Sequence, residues 1–180
     1  MAIVAGDILF KFSVVAAAGN TTGGTPATSL GDQISTTQIT DATLNNLFDD
    51  VSGDENATPE SEYRCIFVHN ANGSLTWQSV VVWLSAEVAN GASCQIAIDD
   101  LAASPIGQAS AQADVIANED TAPGAGVGSF SAPTSKGTGL ALGNIAAGYC
   151  RAIWIKRTTA NTAALNNDGV TIRCEGDTAA

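Results

Sequence analysis

The chain has 180 residues, 45% of them hydrophobic, with 18 acidic against 7 basic side chains and a formal charge of −11. That length suits a single domain with one apolar core and leaves too little for two. The charge excludes a general attraction to phosphate backbones or anionic bilayers, so neither nucleic acid nor a membrane is expected as a partner.

The first stretch, "MAIVAGDILFKFSVVAAAGN", has no basic start and carries Asp7 and Lys11 inside its apolar part. It is read as a strand and not as a secretory signal. Ile8, Phe10, Phe12 and Val14 alternate with Lys11 and Ser13, the period of a half-buried strand. No apolar run approaches the roughly 20 residues that span a bilayer, so a soluble chain made in a reducing cytosol is expected.

Residues 16–38 are light, polar and Gly-rich, and read as loop or extended chain. "TDATLNNLFDDV", residues 40–51, offers Thr40 or Asp41 as an N-cap and room for two helical turns. Strands follow in "YRCIFVHN", "TWQSVVVWLSAEV", "ASCQIAIDD", "YCRAIWIKRTT" and "GVTIRCEGD", where Val, Ile, Phe and Trp are punctuated by Gly, Asn and Asp. Asn72-Gly73 between the first two and Asp168-Gly169 between the last two predict hairpins. Alternation sets Val170, Ile172 and Cys174 against Thr171, Arg173 and Glu175, and places Trp77 and Trp83 on one face. Residues 101–148 are small, polar and Gly-rich, with a short strand around "AQADVIA". The sum is an all-β fold: one domain over residues 1–180, with extended segments at about 16–38 and 101–148. A β-sandwich of about seven to nine strands, jelly-roll or immunoglobulin-like, is expected.

Residues with chemical potential are few. His69 is the only histidine. Cys65 lies four positions before it on the same strand, about 13 Å away at about 3.3 Å per residue, so the two cannot act as nucleophile and base. His69 is read as a strand-end histidine hydrogen-bonded to backbone. Cys65, Cys94, Cys150 and Cys174 show no metal spacing and read as buried thiols, with disulfides as the other reading. Acids cluster at Asp49, Asp50, Asp54 and Glu55, at Asp99 and Asp100, and at Glu119 and Asp120. Calcium favours such oxygen-rich loops, yet "DVSGDENATPE" departs from the EF-hand pattern and solvated turns use the same residues. "GAGVGSF" lacks the Lys-Ser/Thr of a phosphate loop. The sequons at Asn20, Asn56 and Asn72 mark exposed turns. Trp77, Trp83 and Trp154 suit a core or interface, a sugar platform being the alternative. No catalytic, cofactor-binding or metal residue is assigned, no cofactor is implied, and a protein without enzyme activity is expected.

Charge is unevenly placed, with Lys11, Arg64, Arg151, Lys156, Arg157 and Arg173 inside predicted strands and most acids in loops. Long basic stems guard strand edges. A docking face for an acidic partner, or for a neighbouring copy, is the sharper reading.

The phrases "STTQITDATLNNLFDDVSGDENA", "YRCIFVHN" and "GTGLALGNIAAGYCRAIWIKRTTANTAALNNDGVTIRCEGDT" resemble those of virion structural proteins of tailed bacteriophages and prophages, over about Phe10 to Asp177. The resemblance implies a virion component. Among such proteins, small acidic β-sandwiches are often capsid decoration or cement proteins. That implies binding to the major capsid protein at the capsid surface, self-association as a trimer or dimer, and synthesis in the bacterial cytoplasm. Residues 16–38 and 101–148 would then be arms that order on neighbours. A tail, neck or head-completion protein, or a carbohydrate-binding host-recognition module, is the alternative.

Overall fold

A computed structural model describes residues 2–15, 21–163, 165 and 167–178. The Val-, Ile- and aromatic-rich runs form strands, because such side chains fill a pleated, buried surface. They are β1 Ile8–Val14, β2 Gly31–Gln38, β3 Ser61–Asn70, β4 Trp77–Glu87, β5 Ser93–Ile98, β6 Ser104–Pro105, β7 Ala113–Val115, β8 Leu140–Ile145, β9 Tyr149–Thr158 and β10 Val170–Thr178, with one short helix, α1 Gly53–Ala57. The fold is mostly β, with two antiparallel sheets, one of them a curled half-barrel. The larger sheet runs β5-β9-β3-β1-β2-β7, with β6 also on β9, and the smaller runs β10-β4-β8.

Neither predicted hairpin forms, because β3 and β4 lie in different sheets, as do β9 and β10. The turn residues serve the crossings instead. Asn72 Oδ1 accepts from the backbone N–H groups of Ser74 and Leu75, turning the chain out of one sheet and into the other. The Asp168 carboxylate accepts from the backbone N–H of Ala92 at 2.7 Å and so ties down the loop between β4 and β5.

Two apolar layers result. On the inner face of the larger sheet, Ile66, Val68, Ile96, Ile153 and Ile155 meet Trp77, Val80, Val82, Leu84, Leu142 and Ile145 of the smaller. Val170, Ile172 and Cys174 pack against this layer, on the face their alternation predicts. On the outer face, Cys65, Phe67, Ala97, Cys150, Ala152 and Trp154 cluster with Ile34, Ala113 and Ile116. Strands β3 and β9 are thus apolar at both parities, which explains their continuous hydrophobic runs. Each buried Ile or Val contributes about 1.5–3 kcal/mol of transfer free energy.

The segment covering the outer face is the light one. Ser131 and Ile96 exchange two backbone hydrogen bonds of 2.8 and 3.0 Å, and the Gly128 N–H reaches the Ile98 carbonyl at 2.9 Å. Two residues on, the Pro133 carbonyl accepts from Leu84 N–H at 2.8 Å, so this short stretch joins the two sheets. Residues 101–148 therefore lie on the protein's own sheets and contain, besides the expected short strand, which is β7, the strands β6 and β8. The other light segment also supplies a strand, since its residues 31–38 form β2. Residues 16–20, at its start, fall outside the described residues. Gly31 has φ of +101°, and a Cβ there would stand 1.7 Å from the Asp114 carbonyl oxygen, so only glycine fits.

Three local expectations are corrected. Lys11 and Ser13 are 9% and 0% exposed, so β1 is covered on both faces and is not half-buried. Residues 40–51 form no helix, because Ala42 and Asn45 adopt positive φ of 54° and 56°. The helix begins later, where Ser52 and Glu55 form a capping box. Finally, β4 carries an extra residue near Ser79, whose φ is 51°. That bulge shifts parity: Trp77 joins Val80, Val82 and Leu84 in the inner layer, whereas Trp83 sits cross-strand from exposed Arg173 on the opposite face.

Candidate functional site

His69 and Cys150 are cross-strand partners on β3 and β9, which places their side chains on one face. No hydrogen bond joins them. The Cys150 thiol accepts from Gln112 Nε2 at 3.2 Å and donates to the Ser104 carbonyl at 3.5 Å. Burial pushes the thiol up to about 12. Burial, with the nearby Lys11 ammonium adding to it, pushes the imidazole down to about 4. A cysteine nucleophile needs the reverse order, a thiolate beside an imidazolium. His69 Nδ1 and Nε2 have no hydrogen-bond partner, so the expected backbone hydrogen bond does not form.

All four cysteines are free thiols. Burial raises each of them, Cys94 to about 12 with the Glu87 carboxylate adding to the effect.

Asp99, Asp100 and Asp114 can each place an oxygen within 4.8 Å of the others, the arrangement that would offer ligands to a cation. Asp99 was expected in a solvated turn and instead is fully buried. Its Oδ2 accepts from Trp154 Nε1 and from Asp114 N–H, both at 2.9 Å, and its Oδ1 accepts from Leu101 N–H at 3.1 Å. Arg151 donates to the Asp99 carbonyl at 2.9 Å and brings positive charge to the cluster. Desolvation, then the charges of Asp99 and Asp100, raise the Asp114 carboxyl. Asp99 thus acts as a pin between the covering segment and the sheet.

A second ionic group closes one end of the inner layer. Arg157 Nε donates to Glu62 Oε2 at 2.6 Å, and Arg157 also pairs with Asp49 at 3.3 Å. Arg64 pairs with Glu119. Both guanidiniums lie over the Phe48 ring, at 5.3 Å for Arg64 and 4.8 Å for Arg157. Desolvation raises the Glu62 carboxyl, and Arg157 opposes that rise.

The cationic docking face expected from the strand positions is therefore not assembled. Lys11, Arg64 and Arg157 are buried, Arg151 and Lys156 are half-buried, and of the six only Arg173 stands exposed. Trp77, Trp83 and Trp154 are 5%, 5% and 0% exposed, so none of these rings offers a face to a sugar. Sequon Asn72 is half-buried and its amide donates to Asp7 at 3.0 Å, whereas Asn20 falls outside the described residues.

Gln112 was missed by sequence reasoning. Its Oε1 accepts from Ile34 N–H at 3.1 Å, while its Nε2 donates to Ser104 Oγ, the Pro105 carbonyl and the Cys150 thiol. One amide thus holds β2, β6 and β9 together. The available signal was an amide within the predicted short strand "AQADVIA", in a segment rich in small residues.

Comparison with protein-family models, curated proteins and solved structures finds no match for this chain.

Proposed function

We propose that this chain is a non-enzymatic structural protein of a phage virion, a capsid decoration protein that binds and stabilises the major capsid shell. One observation carries the reading: the reactive side chains are spent inside the fold. His69 and the thiols of Cys65, Cys94 and Cys150 are buried, and Asp99, Gln112 and the Glu62–Arg157 pair bind the chain to itself. The resemblance to phage virion proteins supplies the biological setting.

We read the two sheets over one apolar layer as a sandwich, a body suited to holding shape under stress. Burying three of the basic side chains leaves the surface dominated by acids. A basic patch on the shell is the complementary surface. Residues 21–38 and 101–148 lie on the protein's own sheets, so in this reading the body, and not free arms, makes the contact.

The test is addition of purified protein to expanded capsids of the encoding phage, followed by light scattering and sedimentation. Saturable binding in a fixed ratio is expected. A protein that ignores capsids, or that assembles alone into rings or tubes, overturns the reading and points to the tail.

A further inference from the structure

Strand β10 ends the smaller sheet, and nothing among the described residues pairs with its outer edge. The other edges are guarded. That of β5 is occupied by the bridges to Val127 and Ser131, β7 has three residues, and β8 is interrupted by Gly143 at φ of 76°. By contrast β10 runs for nine residues without proline.

It is also regular. Thr171 and Ile172 are adjacent, while their partners Ala86 and Leu84 skip Ser85. Glu175 and Asp177 are two apart, while their partners Val81 and Gln78 are three apart. Both irregularities therefore belong to β4, and β10 keeps strict alternation. Thr171, Arg173, Glu175 and Asp177 are exposed, whereas Val170, Ile172 and Cys174 are half-buried. A long, straight, unpaired edge is a template for another strand unless a bulge, a proline or charge protects it. Among the described residues the protection is charge of both signs, Glu175 also pairing with exposed Lys136 at 3.4 Å, and the Ile3 N–H that donates to Thr178 Oγ1 at 3.2 Å at the end of the strand.

We propose that β10 pairs antiparallel with β10 of a second copy, about a two-fold axis through Cys174. In that register Arg173 stands opposite Glu175 of the second copy, and Glu175 opposite its Arg173. Thr171 meets Asp177. Centring on residue 173 would set Arg against Arg, on 175 Glu against Glu, and on 176 Glu175 against Asp177, while centring on 172 would set Arg173 against Thr171 with no opposite charges facing. Centring between two residues would place core-facing side chains on the solvent side. Charge complementarity thus selects one register and identifies the occupant as this chain itself.

The inner side fits as well. Ile172 of the second copy falls opposite Gly176, where a Cβ would stand 2.6 Å from the Gln78 carbonyl and 2.8 Å from Trp77 Nε1. Beside Gly176 lies a groove of about 340 Å³ lined by Ile3, Val4, Phe10 and Trp77 together with Arg173 and Glu175 of β10 itself, and its apolar part receives that isoleucine. The two smaller sheets become one sheet of six strands, and β10 ceases to be an edge. The argument rests on β10 and goes beyond the capsid reading.

The experiment uses the full chain alone, without capsids, so its failure is separable from failure of capsid binding. Light scattering is expected to give twice the 18.2 kDa chain mass. Arg173→Glu and Glu175→Arg each set like charges opposite in the self-pair, and each variant alone is expected to run at the single-chain mass. Mixed in equal amounts they again present opposite charges, and the doubled mass is expected to return. A monomeric or trimeric wild type overturns the proposal, as does a dimer indifferent to both substitutions. A mixture that stays monomeric while both variants keep the native circular dichroism overturns it too.

Discussion

The two faces of the larger sheet solve the same problem by different means. The inner face is covered by another sheet, whose backbone groups are largely satisfied within its own ladder, so aliphatic side chains suffice. The outer face is covered by loop, and a loop brings unpaired N–H and C=O groups that need partners once they leave water. The buried polar residues gather there accordingly. Gln112 caps Ile34 N–H, Asp99 caps Leu101 and Asp114, and Ser13 Oγ accepts from Gly31 N–H at 3.0 Å. Covering a sheet with loop therefore requires precise polar chemistry, whereas covering it with a sheet requires mainly volume.

The inner layer has its charged exception at one end, and breaking it should have the largest effect. Glu62→Ala leaves Arg157 buried with only the exposed Asp49 side chain opposite, a loss of about 3–5 kcal/mol in urea unfolding. Replacing Glu62 and Arg157 together with Leu and Met should cost less than the single change. A double variant as unstable as the single one would mean that the ion pair itself, and not an orphaned charge, matters.

On the outer face, Asp99→Ala strips acceptors from the buried Trp154 indole and from the part-buried N–H groups of Asp114 and Leu101. At about 1 kcal/mol or more each, the expected loss is about 3 kcal/mol. Amide hydrogen exchange should quicken at residues 113–116 and 126–131 and leave β4 and β8 unchanged. Uniform quickening would erase the distinction between the faces.

His69 makes the outer face acid-sensitive. Its pKa falls from 6.5 to about 4 on folding, so the unfolded chain takes up the proton first. Stability is complete above pH 6.5 and declines as pH falls from there toward 4, by on the order of 2–3 kcal/mol. Urea titrations of His69→Gln against the parent from pH 7 to 4 should show that part of the decline removed. Parallel curves would sink the assignment. The smallest expected effect lies in the aliphatic layer, where Ile153→Val should lose about 1 kcal/mol in the same urea assay without moving any pH profile.

The strands were legible because alternation and β-branched runs report burial directly, and in β10 even the two faces came out correctly. Their partners were not legible. Asn72-Gly73 and Asp168-Gly169 encode a change of direction, and whether the flanking strands then pair depends on which sheet buries their faces. The bulge at Ser79 was invisible for a related reason: one extra residue reverses the parity of everything before it, and no residue type announces it. Asp99 misled because an acid closing an apolar run looks like the start of a turn. Its role becomes visible only when Trp154, 55 positions away, presents its indole N–H.

Of all the neighbouring strands in the two sheets, only β1 and β2 are consecutive in the chain. Strand β4 waits for β10, and β3 waits for β9. Almost every ladder therefore closes a long loop, which makes folding slow and leaves apolar strands exposed meanwhile. Interactions that form after the rate-limiting step slow unfolding in proportion to the stability they add. The β10–β4 ladder and the stitch at residues 131–133 each close such a loop, and whatever part of them forms after the rate-limiting step acts in this way. The quantity such interactions govern is a half-life against unfolding, set by a barrier, and not an equilibrium free energy.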